Sequence, residues 1–249
     1  GAPWPSETAQ VTAKREHGFS ITDEDRDYWA FRPVERPRLA KRNGNQAPID
    51  QLIQAQLDAR GIAANPIADK ATLIRRAYFD LIGLPPTYGE VQAFVNDDSP
   101  DAWPRLVEHL LGLPQYGERW GRHWLDVARY SEANGMERNF TYPHAWRYRD
   151  YVIASFNKDK PYDQFIREQL SGDLLDDKEA PGTIAEERLT ATGFLALGPK
   201  ILNERDKIVF QMEMVDEQID ASTRAVLGLT VSCARCHDHK FDPIGMKDY

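Results

Sequence analysis

Apolar residues recur along this chain at intervals of three and four, and nowhere do they alternate with polar ones for long enough to build a sheet. That periodicity restricts the fold to the all-α class. Ile49, Leu52, Ile53 and Leu57 mark a first long helix, stopped at Gly61, and Leu73, Ile74, Tyr78, Leu81 and Ile82 mark a second, stopped at Gly83. A third is expected after Thr87 and a fourth after Ser99-Pro100. Residues 116–130 are dense in aromatics and charge, with Trp120, Trp124, Val127 and Ser131 on one expected face and His123 at its margin. Further helices are expected over 145–156, 162–170 and 184–195. A last one, over 206–227, carries the stripe Ile208, Met212, Val215, Ile219 and Val226 and ends at Gly228.

The reading is therefore an all-α domain of about eight helices over residues 48–249, with a helical sub-bundle at 48–113 and the remainder at 114–249. Residues 1–47 read as an extended arm with one short helix, for which Thr22 is the N-cap and Asp23, Glu24 and Asp25 supply first-turn acids. The net charge of −8 argues against a nucleic-acid partner, and no apolar run is long enough to cross a bilayer. Clustered acids at Asp216–Asp220 and Asp173–Asp177 read as solvated helix faces or turns.

The chain holds two cysteines, and both lie in Cys233-Ala234-Arg235-Cys236-His237. This C-x-x-C-H spacing attaches a c-type haem: each thiol can add to one vinyl group of the porphyrin, and the histidine that follows is placed under the iron. Three other readings compete. A thioredoxin-like redox pair lacks a strand–turn–helix context. A zinc site could recruit His239, but four donors within seven residues would strain a tetrahedral shell. A structural disulfide or free thiols complete the set. A haem c is attached outside the cytoplasm, so the expected location is periplasmic or otherwise extracytoplasmic, with a signal peptide removed. The start Gly1-Ala2-Pro3-Trp4-Pro5 reads as a processed or engineered end.

The tail Gly228-Leu229-Thr230-Val231-Ser232-Cys233-Ala234-Arg235-Cys236-His237-Asp238-His239-Lys240-Phe241-Asp242-Pro243-Ile244 resembles the planctomycete-type cytochrome c domain family. So do Asp80-Leu81-Ile82-Gly83-Leu84-Pro85-Pro86-Thr87, residues 116–130, Tyr148-Arg149-Asp150-Tyr151-Val152, Asp159-Lys160-Pro161-Tyr162-Asp163 and Thr192-Gly193-Phe194-Leu195. The likeness runs from about Tyr28 to the end of the sequence. It implies an exported haem protein of unsettled activity, often beside a second large domain. Gly245-Met246 departs from the proline-containing pair of the family pattern. That pattern continues past Tyr249, which implies a fragment or a processed piece.

His237 is the expected proximal iron ligand, and a single haem c the expected cofactor, attached through Cys233 and Cys236. The distal ligand is sought among His123, His239, Met246, Met212 and Met214. His123 is the candidate, His239 suits a propionate better, and Met212 reads as core packing. Arg119, Arg122, Arg129, Arg235 and Lys240 could neutralise the propionates, with Trp124 and Tyr130 as hydrogen-bond donors. The expected function is electron transfer to or from a redox partner protein or adjoining domain. The alternatives are a haem enzyme domain with an open distal iron site, acting on a substrate or peroxide, and a non-haem scaffold that binds zinc, glycan or a partner.

Overall fold

A computed structural model describes residues 20–37, 47–136, 139–175 and 182–249. The expected start at Gly1–Pro5, part of the arm (38–46) and the acids at 176 and 177 lie outside the described residues. Eleven α-helices are found among those described, ten of them from Pro48 onward: α1 (Asp23–Asp27), α2 (Pro48–Ala59), α3 (Lys70–Leu81), α4 (Tyr88–Val95), α5 (Ala102–Leu111), α6 (Pro114–Val127), α7 (Ala145–Asn157), α8 (Tyr162–Ser171), α9 (Gly182–Ala191), α10 (Gly193–Ala196) and α11 (Lys207–Leu227). Among the described residues the only β pairing is an isolated bridge between Ala133 and Thr141. The all-α class holds.

Local chemistry accounts for the helix starts. Thr22 accepts from the Asp25 N–H while the Asp25 carboxylate returns a bond to the Thr22 backbone, a reciprocal cap for α1. Thr87 and Glu90 repeat it for α4. The fourth expected helix opens later than Ser99-Pro100, at Ala102, because the Asp97 carboxylate takes the Ser99 N–H and hydroxyl and holds a turn there. The helix expected over 184–195 is interrupted at Thr192, where the next residue, Gly193, abuts the Tyr148 ring.

Contacts divide the described chain at residue 70. Ser20–Asp69 carries α1 and α2 and buries none of its described residues. Lys70–Tyr249 holds two apolar clusters. In one, Ile74, Tyr78 and Ile82 of α3 meet Phe94 of α4 and Leu110 of α5. The other gathers Trp124, Tyr148, Tyr151, Val152, Phe165, Phe194 and Ala221 from α6, α7, α8, α10 and α11.

Two expected faces are corrected. On α6 the buried face is Gly117, Gly121, Trp124 and Leu125, continued by Ala128, while Trp120 and Val127 are exposed. The two glycines decide this, since they let α7 approach: a Cβ on Gly117 would stand 2.5 Å from the Ile153 carbonyl oxygen. On α11 the expected core stripe faces outward, with Ile208 71%, Met212 57%, Val215 43% and Val226 42% exposed. The helix packs instead through its small residues, Ala221 at 2% exposure and Ala225 against the core. Small side chains allow the closer helix approach, so they displaced the larger apolar row from the interior.

Candidate functional site

The last helix delivers the cysteine motif. Asp206 caps α11 by accepting the N–H groups of Ile208 and Val209. At its other end Gly228 adopts φ +67°, a left-handed conformation that reverses the chain at little cost to glycine. The chain then returns beside α11 as a 3-10 turn over Val231–Arg235.

A 3-10 turn has about three residues per turn, so positions i and i+3 eclipse. Cys233 lies within the turn and Cys236, three positions on, is its C-cap; both are exposed and free. The two residues between them point elsewhere. Ala234 is fully buried, and Arg235 forks onto α11, reaching Glu213 Oε1 at 2.7 Å and Asp216 Oδ2 at 2.9 Å. The hydrogen bond from Arg235 holds the Glu213 carboxyl below its ordinary range, and that bond with the Asp216 charge raises the guanidinium's own pKa. The Tyr249 hydroxyl also donates to Asp216; burial, then this carboxylate, pushes that phenol up. Glu213 and Asp216 are the residues that sequence reasoning missed. Asp216 had read as part of a solvated acidic face, and nothing in sequence links it to an arginine 19 residues later.

His237 and His239 use their Nδ1 atoms in opposite roles, one as a donor and the other as an acceptor. His237 is exposed, with Nδ1 2.8 Å from the Asp238 carbonyl oxygen. A carbonyl only accepts, so Nδ1 is the donor in this contact and Nε2 is the nitrogen left for a ligand. His239 has a side chain only 6% exposed, and its Nδ1 accepts the Asp242 N–H at 2.8 Å and the Phe241 N–H at 3.3 Å. Its proton is therefore on Nε2, 3.2 Å from Thr230 Oγ1. His239 thus ties the residues before and after the motif, and both its nitrogens are engaged. Asp238 accepts the Met246 N–H at 2.9 Å and His239 donates its own N–H to Ile244, closing the tail on itself.

The remaining sequence candidates are held elsewhere. Trp124 is buried, donates Nε1–H to the Tyr148 hydroxyl at 3.0 Å and packs on Phe165 and Phe194. Arg129 lies over the Phe194 ring and pairs with Glu217 of α11 at 2.5 Å. The Tyr130 hydroxyl donates to Glu132, and burial together with that carboxylate pushes its pKa up to about 12. Lys240 is exposed with Nζ 4.9 Å from the Phe241 ring, Arg122 pairs with Asp126, and the Arg119 stem lies against Gly83. His123 is exposed on α6, its ring 5.4 Å from that of Trp120. So the structure brings together Cys233, Arg235, Cys236, His237 and His239, ties Arg129 to the same helix α11, and places Trp124 in the core.

Among the described residues no group of three or more His, Cys, Asp or Glu side chains is arranged to hold a metal ion, and no helix is long and apolar enough to cross a membrane. Two clefts, of about 430 Å³ beside Tyr142, His144 and Leu197 and about 330 Å³ beside Gln164, Glu168 and Arg188, are lined by other residues than the motif. No curated protein and no solved structure matches the chain. Over residues 48–249 it matches the family model PSCyt2, described as a protein of unknown function (DUF1549), and the chain therefore belongs to that cytochrome-like family.

Proposed function

We propose that this chain carries one haem c, bound through Cys233 and Cys236 with His237 as the proximal ligand, and works as an electron-transfer domain outside the cytoplasm. The observation that carries the reading is two free, exposed thiols, one in a 3-10 turn and one at its C-cap, next to an exposed imidazole whose Nδ1 is engaged by a backbone carbonyl, which leaves Nε2 for a ligand. The site fits the group on the chemistry of its donors. When bound, a haem c supplies a one-electron iron couple. The chain's own part is to hold and orient. Arg235 and buried Ala234 fix the turn on α11, the Asp238 carbonyl engages Nδ1 of His237, and His239 closes the loop behind it. A zinc reading would have to free His239 from hydrogen bonds at both ring nitrogens. The family's cytochrome-like name agrees with the haem reading. His123, exposed on α6, is the candidate distal ligand, and the partner is a redox protein or an adjoining domain.

The test is a pyridine haemochrome spectrum of natively matured protein, which should show the c-type band. Cys233→Ala with Cys236→Ala should abolish haem that survives denaturant; haem that stays attached would refute the attachment. A ferric EPR spectrum of His123→Ala should lose the low-spin signal of the parent, and an unchanged signal removes His123 as ligand. A high-spin parent that binds carbon monoxide readily would instead favour the open-iron enzyme.

A further inference from the structure

The outward face of α11 carries an apolar row with the spacing of a helix-pairing seam. Its apolar row is Ile208, Met212, Val215, Ile219 and Val226, and adding Ser222 gives alternating steps of four and three along the whole 21-residue helix. That is a period of 3.5 with core positions in three successive heptads, the spacing that seats side chains between those of a second helix. Ile208, Met212, Val215 and Val226 are between 42% and 71% exposed, whereas Ile219 and Ser222 are half-buried. An exposed row of this length on a surface helix signals an interaction site.

The geometry points to a second copy of this chain as the occupant, with its α11 packed antiparallel on this one. Antiparallel pairing about a twofold axis sets Ile208 against Val226, Met212 against Ser222 and Val215 against Ile219. The longest side chain of the row thus meets the smallest, and every layer is filled. Parallel pairing would instead stack Met212 on Met212 and leave a hollow between two serines. The flanks are compatible with self-association. Gln211 meets Ala225, Val209 meets Thr223, and Gln218 meets its own copy; Ala225 also packs on the chain's own core and Gln218 donates to the Leu195 carbonyl at 3.1 Å, so this flank adds no charge and little new contact. The sole like-charge meeting is Asp216 with Asp216, and Arg235 already answers that charge at 2.9 Å. A partner with basic flanks would find no free acid to read along this row. A single three-heptad seam is smaller than the ~800 Å² per partner of a standard interface, so the dimer should be reversible and concentration-dependent. This inference stands independently of the haem.

Sedimentation velocity on the full chain from about 1 to 100 µM tests it. The parent should shift from monomer to dimer within that range. Met212→Glu and Val226→Glu should each raise the midpoint about tenfold or more at unchanged helix content by circular dichroism. Arg235→Gln, which uncovers Asp216, should raise it as well. Leu189→Glu, an equally exposed apolar position on α9, should leave it unchanged. Ser222→Leu discriminates the orientation: it crowds Met212 and weakens an antiparallel dimer, but would fill the hollow of a parallel one and tighten it. A chain monomeric throughout, leaving the face to another segment or an unlike partner, overturns the proposal. So does a dimer insensitive to the two glutamates, or one that Ser222→Leu tightens.

Discussion

His237 and His239 stand two positions apart and do opposite work because their backbone surroundings differ. One ring meets a carbonyl through Nδ1 and stays exposed; the other meets two N–H groups and is locked in. The same rule of matched donors governs the most deeply buried charge among the described residues, Glu168, which is 1% exposed. It accepts from Lys160 at 2.5 Å, Tyr151 at 2.7 Å and Gln164 at 2.8 Å. Burial alone would raise its pKa, but these bonds outweigh that and hold the carboxyl below its ordinary value. A lowered folded pKa contributes stability that is fully present above the unfolded value, about 4.3, and is lost as the pH falls through the folded one. Glu168→Gln should cost about 3 kcal/mol at neutral pH, since Lys160 then stays buried without its closest counter-ion. Denaturant midpoints at neutral and acid pH check this: the gap between parent and variant should narrow as the pH falls below the carboxylate range. A gap that stays constant would assign the role to shape alone.

At the scale of elements, the capped helix ends were legible in sequence, because a cap is made by residues three apart. Thr22 and Asp25, Thr87 and Glu90, and Asp206 before Ile208 all act within one turn. Which face a helix buries was less legible. On α6 the aromatic row suggested one face, and the glycine pair Gly117 and Gly121 selected another. Their i, i+4 spacing was the available signal. Gly117→Ala weighs two opposed effects. Alanine gains about 1 kcal/mol in helix propensity, but its Cβ would meet a backbone carbonyl at 2.5 Å, an overlap no rotamer relieves. Overpacking of this kind costs about 1–3 kcal/mol, so a net loss is expected, visible as a lowered thermal midpoint with near-normal helix content. A raised midpoint would show that α7 yields easily.

For the whole molecule, stability is concentrated in one part of the chain. Lys70–Tyr249 holds both apolar clusters, whereas Ser20–Asp69 buries none of its described residues. A segment with no fully buried apolar residue among those described has little to offset the entropy of ordering it. Residues 70–249 expressed alone should therefore keep a cooperative thermal transition near that of the full chain, and residues 20–69 alone should show none by circular dichroism. Loss of the transition in 70–249 would show that residues before Lys70 are needed for stability.

The sequence by itself determined the helical class, most helix ends and the thiol–imidazole motif, because periodicity, caps and motif spacing act over a few residues. Only the tertiary structure decided that small residues seat α6 and α11, that the apolar row of α11 faces outward, and that Arg235 anchors the motif to Glu213 and Asp216. These outcomes depend on which surfaces meet when the chain closes, and residues 19 or more positions apart carry no local sign of that meeting.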